Sequence, residues 1–258
     1  MQQVAAIRTY STALALPASR KVLLVIIVLG ATLTFTPVVA ADAGSYTERQ
    51  EIAAELVHHP ESPLAHSRAG KILFEYGEFA QAAAHYELAI NADRHSATLR
   101  KNLAALYLVL QRKDDAEKQL AAVLTLTPDE VQAYLDLGEI YLANGKASFA
   151  EQVYRQAITR IPGEAVLHSR LALSLGKPFK YKEAIPELEE VIRLSPRNGA
   201  AYNNLGAAYE ESGDYEQALR AYEHAAELSP GEQVIAGNVR RLRQGKTEFE
   251  KNQVMSYQ

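Results

Sequence analysis

The chain has 258 residues, of which 48% are hydrophobic and 22% charged, and its formal net charge is −4. This balance is typical of a folded globular protein, and it excludes a wholly disordered chain and a multi-span membrane protein. Cysteine is absent, which excludes disulfides, thiolate metal sites and a cysteine nucleophile, and the mild acidity argues against a general binder of polyanions.

The first forty residues differ in kind from the rest of the chain. They contain three basic residues and no acidic one, an apolar run begins at Val22, and the segment closes with small side chains at Val38 and Ala40. A secretory signal peptide has three parts: a basic start, a short apolar segment and small residues before the cleavage site. We therefore expect residues 1–40 to be cleaved and the protein to be extracytoplasmic, with a bacterial periplasm as the favoured compartment.

The alternative is an uncleaved signal-anchor. Residues 22–40 are long enough to cross a bilayer and would hold the protein in the inner membrane. Threonines and Pro37 interrupt the second half of this segment, which favours cleavage. Both interpretations place the following residues outside the cytoplasm, because the basic flank stays inside.

A short helix is predicted next, and then a repeat. Residues 41–62 suit an N-terminal helix that is a partial repeat. From residue 63 to residue 232 the sequence repeats every 34 residues without insertion or deletion. The five units are 63–96, 97–130, 131–164, 165–198 and 199–232. In each unit, apolar residues recur three or four apart on both sides of a central turn, which predicts two helices per unit.

The last unit shows the repeated pattern in full. Its signature residues are Tyr202, Leu205, Gly206, Tyr209, Ala218, Tyr222 and Pro230. This pattern resembles the tetratricopeptide repeat, and five consecutive units match it in one register. The resemblance implies an all-α fold, namely a right-handed superhelical solenoid of helix-turn-helix repeats. Residues 233–258 then form a C-terminal capping helix and a tail, which we expect to fray from residue 244 onward.

The eighth position of each unit holds a small residue, and its identity alternates along the chain. Glycine at this position accompanies tyrosine at position 24, whereas alanine accompanies leucine. The pairs are Gly70/Tyr86, Ala104/Leu120, Gly138/Tyr154, Ala172/Leu188 and Gly206/Tyr222. We interpret the alternation as volume compensation in the core, and we expect the small residue to face the repeated alanine of the second helix.

No catalytic, metal or cofactor motif is recognisable. The histidines show no zinc-ligand spacing, and Gly245-Lys246-Thr247 lacks the upstream glycine of a phosphate-binding loop. The sequence therefore predicts no enzyme, no cofactor and no metal site. Nucleic acid and small-molecule substrates are not expected as partners.

The resemblance implies that the first helices line a concave groove. Position 6 of every unit is polar, and in some family members an asparagine ladder at this position holds a peptide backbone. The candidate groove residues are Arg68, Lys71, Lys101, Asn102, Asp136, Glu139, Arg170, Asn203, Asn204 and Asn238. The leading hypothesis is a non-enzymatic scaffold of the cell envelope that binds a peptide segment or partner protein in this groove. The alternative is a membrane-anchored assembly subunit of an envelope or secretion complex.

Overall fold

The computed structural model describes residues 28–29, 32–33, 43–176 and 179–256, with side chains described for 48–176 and 179–245. Two short strands, β1 (Val28–Leu29) and β2 (Thr32–Leu33), pair antiparallel. They fall within the predicted signal peptide or anchor, which otherwise lies outside the described residues. Within the described part of the chain, no helix has the length and apolar character needed to cross a membrane.

Helices make up the rest of the described chain, which confirms the all-α repeat fold. α1 is Ala43–His58, and the paired helices are α2 (Pro63–Glu75) with α3 (Phe79–Ala92), α4 (Ala97–Val109) with α5 (Lys113–Leu126), α6 (Val131–Ala143) with α7 (Ala147–Arg160), α8 (Ala165–Gly176) with α9 (Tyr181–Leu194), and α10 (Gly199–Glu211) with α11 (Tyr215–Leu228). The chain ends with α12 (Gln233–Ser256). One compact unit ends at Ala92, and a second begins at Asp93.

Local chemistry explains where the helices begin and end. The side chains of Ser62, Ser96 and Asn198 each accept a hydrogen bond from the backbone N–H three residues later, which caps α2, α4 and α10. The turns between paired helices need a residue with positive φ, and glycine supplies it at 77°, 73° and 89° in three repeats. Gln111 and Phe179 take this conformation in the other two repeats, at 59° and 60°.

The packing of the eighth position includes a contact that we did not expect. A Cβ atom added to Gly206 would lie 2.7 Å from Cδ1 of Tyr222, and one added to Gly70 would lie 2.9 Å from Cδ2 of Tyr86. At Gly138 the added atom would collide with the ring of Tyr154. The glycine therefore faces the tyrosine of position 24, and in the first repeat it also faces the repeated alanine, since the added atom on Gly70 would lie 3.2 Å from the carbonyl oxygen of Ala82. This contact explains the alternation, because alanine fits only where the smaller leucine replaces the ring.

A recurring hydrogen bond ties four of the five first helices to the loop before them, and sequence reasoning missed it. The side chain at position 4 contacts the backbone carbonyl oxygen six residues earlier. The pairs are His66 with Pro60 at 2.8 Å, Arg100 with Arg94 at 2.9 Å, Tyr134 with Pro128 at 3.0 Å and His168 with Pro162 at 3.2 Å. Four different side chains thus perform one task, and no single residue type marks the position in the sequence.

The C-terminal region departs from the expectation in one detail. α12 continues to Ser256, well beyond residue 244, where we expected a frayed tail. Ile235 is its buried anchor, while Val234 is 69% exposed.

Candidate functional site

The candidate groove residues of the second compact unit lie on its first helices. We define the first-helix face as the side chains at positions 5, 6 and 9 of α4, α6, α8 and α10 and at the matching positions of α12. Ion pairs and hydrogen bonds across this face join α6 to α8 and α10 to α12. These contacts link the third repeat to the fourth and the fifth repeat to the C-terminal helix, and the face also contains the exposed Leu173.

Two of the predicted candidates pair directly. Arg170 Nη2 of α8 lies 3.0 Å from Glu139 Oε1 of α6, and their side chains are 28% and 33% exposed. The ion pair neutralises both charges at the junction of the third and fourth repeats. Arg170 and Glu139 are thus parts of one contact and not independent charges.

Asp136 is the half-buried acid of the third repeat. Gln132 Nε2, one turn earlier on α6, donates a hydrogen bond of 2.7 Å to Asp136 Oδ1. Burial raises the pKa of the Asp136 carboxyl, the neighbouring Glu139 and Glu130 raise it further, and the Gln132 amide opposes this shift. The carboxylate is therefore held in an environment that disfavours its own charge.

Lys101 and Asn102 lie side by side on α4 but behave differently. Lys101 Nζ donates to Glu130 Oε2 at 2.7 Å, which links α4 to the residue that precedes α6. Asn102 is half-buried, and its amide has no side-chain hydrogen bond with the described residues. Its donors and its acceptor therefore stay available.

The three remaining asparagines divide in the same way. Asn238 Nδ2 of α12 donates to Asn203 Oδ1 of α10 at 3.1 Å, and Asn238 Oδ1 accepts a longer bond of 3.4 Å from Arg241 Nη2. Asn204 is exposed and has no such partner within the described chain. The structure thus leaves Asn102 and Asn204 as the amides of the ladder with unused hydrogen-bonding capacity.

Arg68 and Lys71 belong to the first compact unit and are described separately. Both are exposed on α2, and Arg68 Nη1 donates to Glu55 Oε2 of α1 at 2.5 Å. The same unit contains a close histidine pair, with 3.0 Å between His66 Nδ1 and His85 Nδ1. Burial and the charge of His66 lower the pKa of His85.

Sequence reasoning missed a polar network at the C-terminal end of the first-helix face. Tyr222 Oη donates to Glu210 Oε2 at 3.0 Å, and Arg241 Nη2 of α12 donates to the same oxygen at 2.9 Å. The bond to Arg241 is the main cause of the lowered pKa of Glu210. The corresponding tyrosine of the third repeat, Tyr154, is fully buried, and its hydroxyl has no hydrogen-bond partner among the described residues. Leu142 occupies the position that corresponds to Glu210. Comparing the two repeats at this position in the sequence could have indicated that Tyr222 has a carboxylate partner and Tyr154 does not.

Metal ligation finds no support in this geometry. Among the residues whose side chains are described, no group of three or more histidines and acids could hold an ion. What the arrangement can do chemically is form hydrogen bonds and ion pairs.

Family models match most of the second compact unit. Models described as tetratricopeptide repeat match residues 101–165 and 199–232, and one described as TPR repeat matches residues 180–213.

Curated proteins with similar repeats come from distant organisms. BBSome complex member BBS4 of Bos taurus is 26% identical over 62% of this chain and 30% of its own length. A TPR repeat-containing protein of Synechococcus elongatus is 26% identical over 69% of this chain and 46% of its own. The small glutamine-rich tetratricopeptide repeat-containing protein 2 of Mycosarcoma maydis is 30% identical over 33% of this chain and 24% of its own. The chain therefore spans less than half the length of these relatives.

Solved structures share the fold. YrrB, described as a TPR protein with an unusual peptide-binding site, superposes with a TM-score of 0.61 at 17% identity, over 74% of this chain and 97% of its own. MamA superposes with a TM-score of 0.57 at 24% identity, over 62% of this chain and 94% of its own. The 34-residue period, the paired helices and the matching family models together identify this chain as a tetratricopeptide repeat protein.

Proposed function

We propose that this chain is a non-enzymatic interaction module that binds an extended peptide segment of a partner protein on the first-helix face of its second unit. The observation that carries the proposal is that the half-buried amide of Asn102 and the exposed amide of Asn204 form no side-chain hydrogen bond with the described residues. An amide side chain both donates and accepts, and therefore matches the two polar groups of a peptide backbone. The fold shared with YrrB supports this proposal by analogy.

Affinity capture tests the proposal. Wild-type protein is used to capture partners from the native cell envelope, and mass spectrometry identifies them. Changing Asn102→Ala together with Asn204→Ala should then weaken capture at least tenfold, because each lost buried hydrogen bond costs about 1–3 kcal/mol. Neither side chain is buried in the core, so the urea midpoint should not change.

A matched control separates the first-helix face from the rest of the surface. Gln152 and Gln156 are exposed amides on α7, a second helix. Changing both to alanine should leave capture intact. Capture that survives the asparagine double variant but is lost with the glutamine control would place binding on the second helices and overturn the proposal.

We also propose that the protein works in an extracytoplasmic envelope compartment. The basic start, the apolar run and the small residues of residues 1–40 support this location. The second candidate, a membrane-anchored assembly subunit, rests on the length of residues 22–40 and uses the same face for an integral partner. Intact mass of the native protein decides between them, because loss of the first forty residues refutes the anchor and a retained Met1 refutes cleavage.

A further inference from the structure

A groove with a volume of about 670 Å³ lies between the start of α9 and the turn that joins α10 to α11. Lys182 and Ile185 of α9 form one side, and Tyr209 of α10 with residues 212–216 forms the other. These residues lie in or next to the turns inside the fourth and fifth repeats. They therefore occupy positions of the repeat that differ from those of the first-helix face.

The groove is open because an ion pair found one repeat earlier is missing here. Lys180 Nζ lies 3.0 Å from Glu151 Oε2, which joins the turn of the fourth repeat to α7 of the third. The residues 34 positions later are Asp214 and Ile185, and an aliphatic side chain cannot pair with the acid. The carboxylate of Asp214 instead accepts the backbone N–H of Gln217 and caps α11. The fifth repeat therefore keeps a gap where the fourth has a bridge.

Two exposed aromatic side chains belong to the same pair of turns. Phe179 is 78% exposed, more than any other described large hydrophobic side chain, and Tyr215 is 62% exposed and lines the groove. Phe179 also has a positive φ of 60°, at the position where three other repeats have glycine. This backbone conformation costs free energy in a residue with a Cβ atom. The ring buries little surface within the chain in return, which indicates a role in binding a partner.

The two turns carry opposite charges. Residues 179–182 include two lysines and no acid, whereas residues 213–216 include two acids and no basic residue. Lys182 is exposed and forms no ion pair with the described residues. Glu216 pairs with Arg220, but both side chains are more than half exposed, and an ion pair of this kind contributes little. Lys182 and Glu216 both stand at position 18 of their repeats and are accessible to a partner.

We propose that residues 179–182 and 212–216, which we call the turn surface, bind a second copy of this chain in a two-fold symmetric dimer. A two-fold interface uses the same patch on both copies and must therefore be complementary to itself. Adjacent turns of opposite charge meet this condition, since an antiparallel arrangement places Lys182 against the partner's Glu216 at two equivalent contacts. Phe179 then reaches the groove beside the partner's Tyr215.

A second copy fits the turn surface better than a ligand of a single charge. An acidic segment would be attracted by the turn of the fourth repeat and repelled by that of the fifth, and a basic segment would meet the reverse. A second copy presents both charges in reversed order, together with the two exposed rings.

Charge reversal tests the dimer. Sedimentation of the purified full chain over a series of concentrations measures the dissociation constant of the dimer. Lys182→Glu should raise this constant at least tenfold, and so should Glu216→Lys, because like charges then meet at both contacts. A one-to-one mixture of the two variants should dimerise as wild type does, since one variant is acidic at both positions and the other is basic at both.

Matched controls exclude indirect effects. Glu164→Lys makes the same change of charge as Glu216→Lys, but in the exposed loop before α8, and it should leave dimerisation unchanged. All variants keep the same N-terminal segment, so association through that segment would not respond to these changes. Recovery of the dimer in the mixture also excludes misfolding as the cause of its loss in the single variants.

Phe179→Gly tests the apolar part of the contact. Glycine suits the positive φ of this turn, so the variant should keep the helical content of wild type, as measured by circular dichroism. Loss of the ring should nevertheless raise the dissociation constant at least tenfold, because a few aromatic anchors dominate the energetics of interfaces.

Four results would each overturn the inference. Wild-type protein that stays monomeric at every concentration leaves the turn surface to a different protein. Single charge reversals that dimerise as well as wild type place the contact between copies elsewhere. A mixture of the two variants that fails to dimerise refutes the antiparallel arrangement, and an unchanged dissociation constant in Phe179→Gly refutes the aromatic contact on which it rests.

Discussion

The contact between Gly138 and Tyr154 allows the packing argument to be tested by a double-mutant cycle. Gly138→Ala places a methyl group against a ring that is fully buried and cannot swing out. Overpacking of this kind costs about 1–3 kcal/mol, and the better helix propensity of alanine returns at most about 1 kcal/mol. We expect a net loss of about 1–2 kcal/mol in the free energy of unfolding.

The second and fourth repeats suggest the compensating change. They pair alanine at position 8 with leucine at position 24, as in Ala104 with Leu120. Tyr154→Leu alone should cost about 1–3 kcal/mol, because it leaves a cavity beside Gly138. In the double variant the new methyl fills part of that cavity. We therefore expect the double variant to be at least about 1 kcal/mol more stable than the sum of the single changes.

Urea denaturation followed by circular dichroism measures all four proteins of the cycle. The slope of the transition must be compared along with the midpoint, because repeat proteins can lose two-state behaviour. A coupling energy below about 0.5 kcal/mol would refute the reasoning, since that is the scatter expected of independent sites. A Gly138→Ala variant as stable as wild type would refute the contact itself.

Three further predictions concern other parts of the chain. Burial and His66 lower the pKa of His85, so the unfolded chain takes up the proton more readily than the folded one. The free energy of unfolding should therefore be highest above about pH 6.5 and fall as the pH drops. Urea midpoints at several pH values should show a smaller fall in His85→Gln. Phe179→Gly should raise the melting temperature, because it relieves a positive φ that costs about 1–2 kcal/mol in an exposed residue, and a lower value would contradict the strain. Ile235→Ala should cost about 2–5 kcal/mol and Val234→Ala almost nothing, and equal urea midpoints would show that α12 is not anchored as described.

The helical framework is the part of this protein that the sequence specifies most directly. Helix starts such as Pro63 follow a capping serine, and turn residues such as Gly145 end the preceding helix. These signals act within a few residues and recur every 34 positions, so that five copies support the same assignment of two helices per repeat. Local chemistry repeated at a constant period is therefore sufficient to predict the paired helices.

Sequence reasoning also located the polar positions of the first helices, but it did not predict their partners. Arg170 and Glu139 are 31 positions apart and meet only because α8 packs beside α6. Asn203 and Asn238 form a hydrogen bond across α10 and α12 in the same way, whereas Asn102 forms no side-chain hydrogen bond with the described residues. The stacking of neighbouring repeats therefore decides which polar side chains are already paired within the chain and which remain available to a ligand.

The core shows the same division between local and tertiary information. The alternation of glycine and alanine at position 8 is visible in the sequence, and it correctly suggested compensation of volume. Only the packed helices show that the compensating group is the ring at position 24. They also show that the hydroxyl of Tyr222 meets Glu210, while that of Tyr154 has no hydrogen-bond partner among the described residues. The physical reason is that packing and hydrogen bonding depend on distances between helices. Those distances are fixed only when the helices pack against one another, so the sequence pattern alone does not contain them.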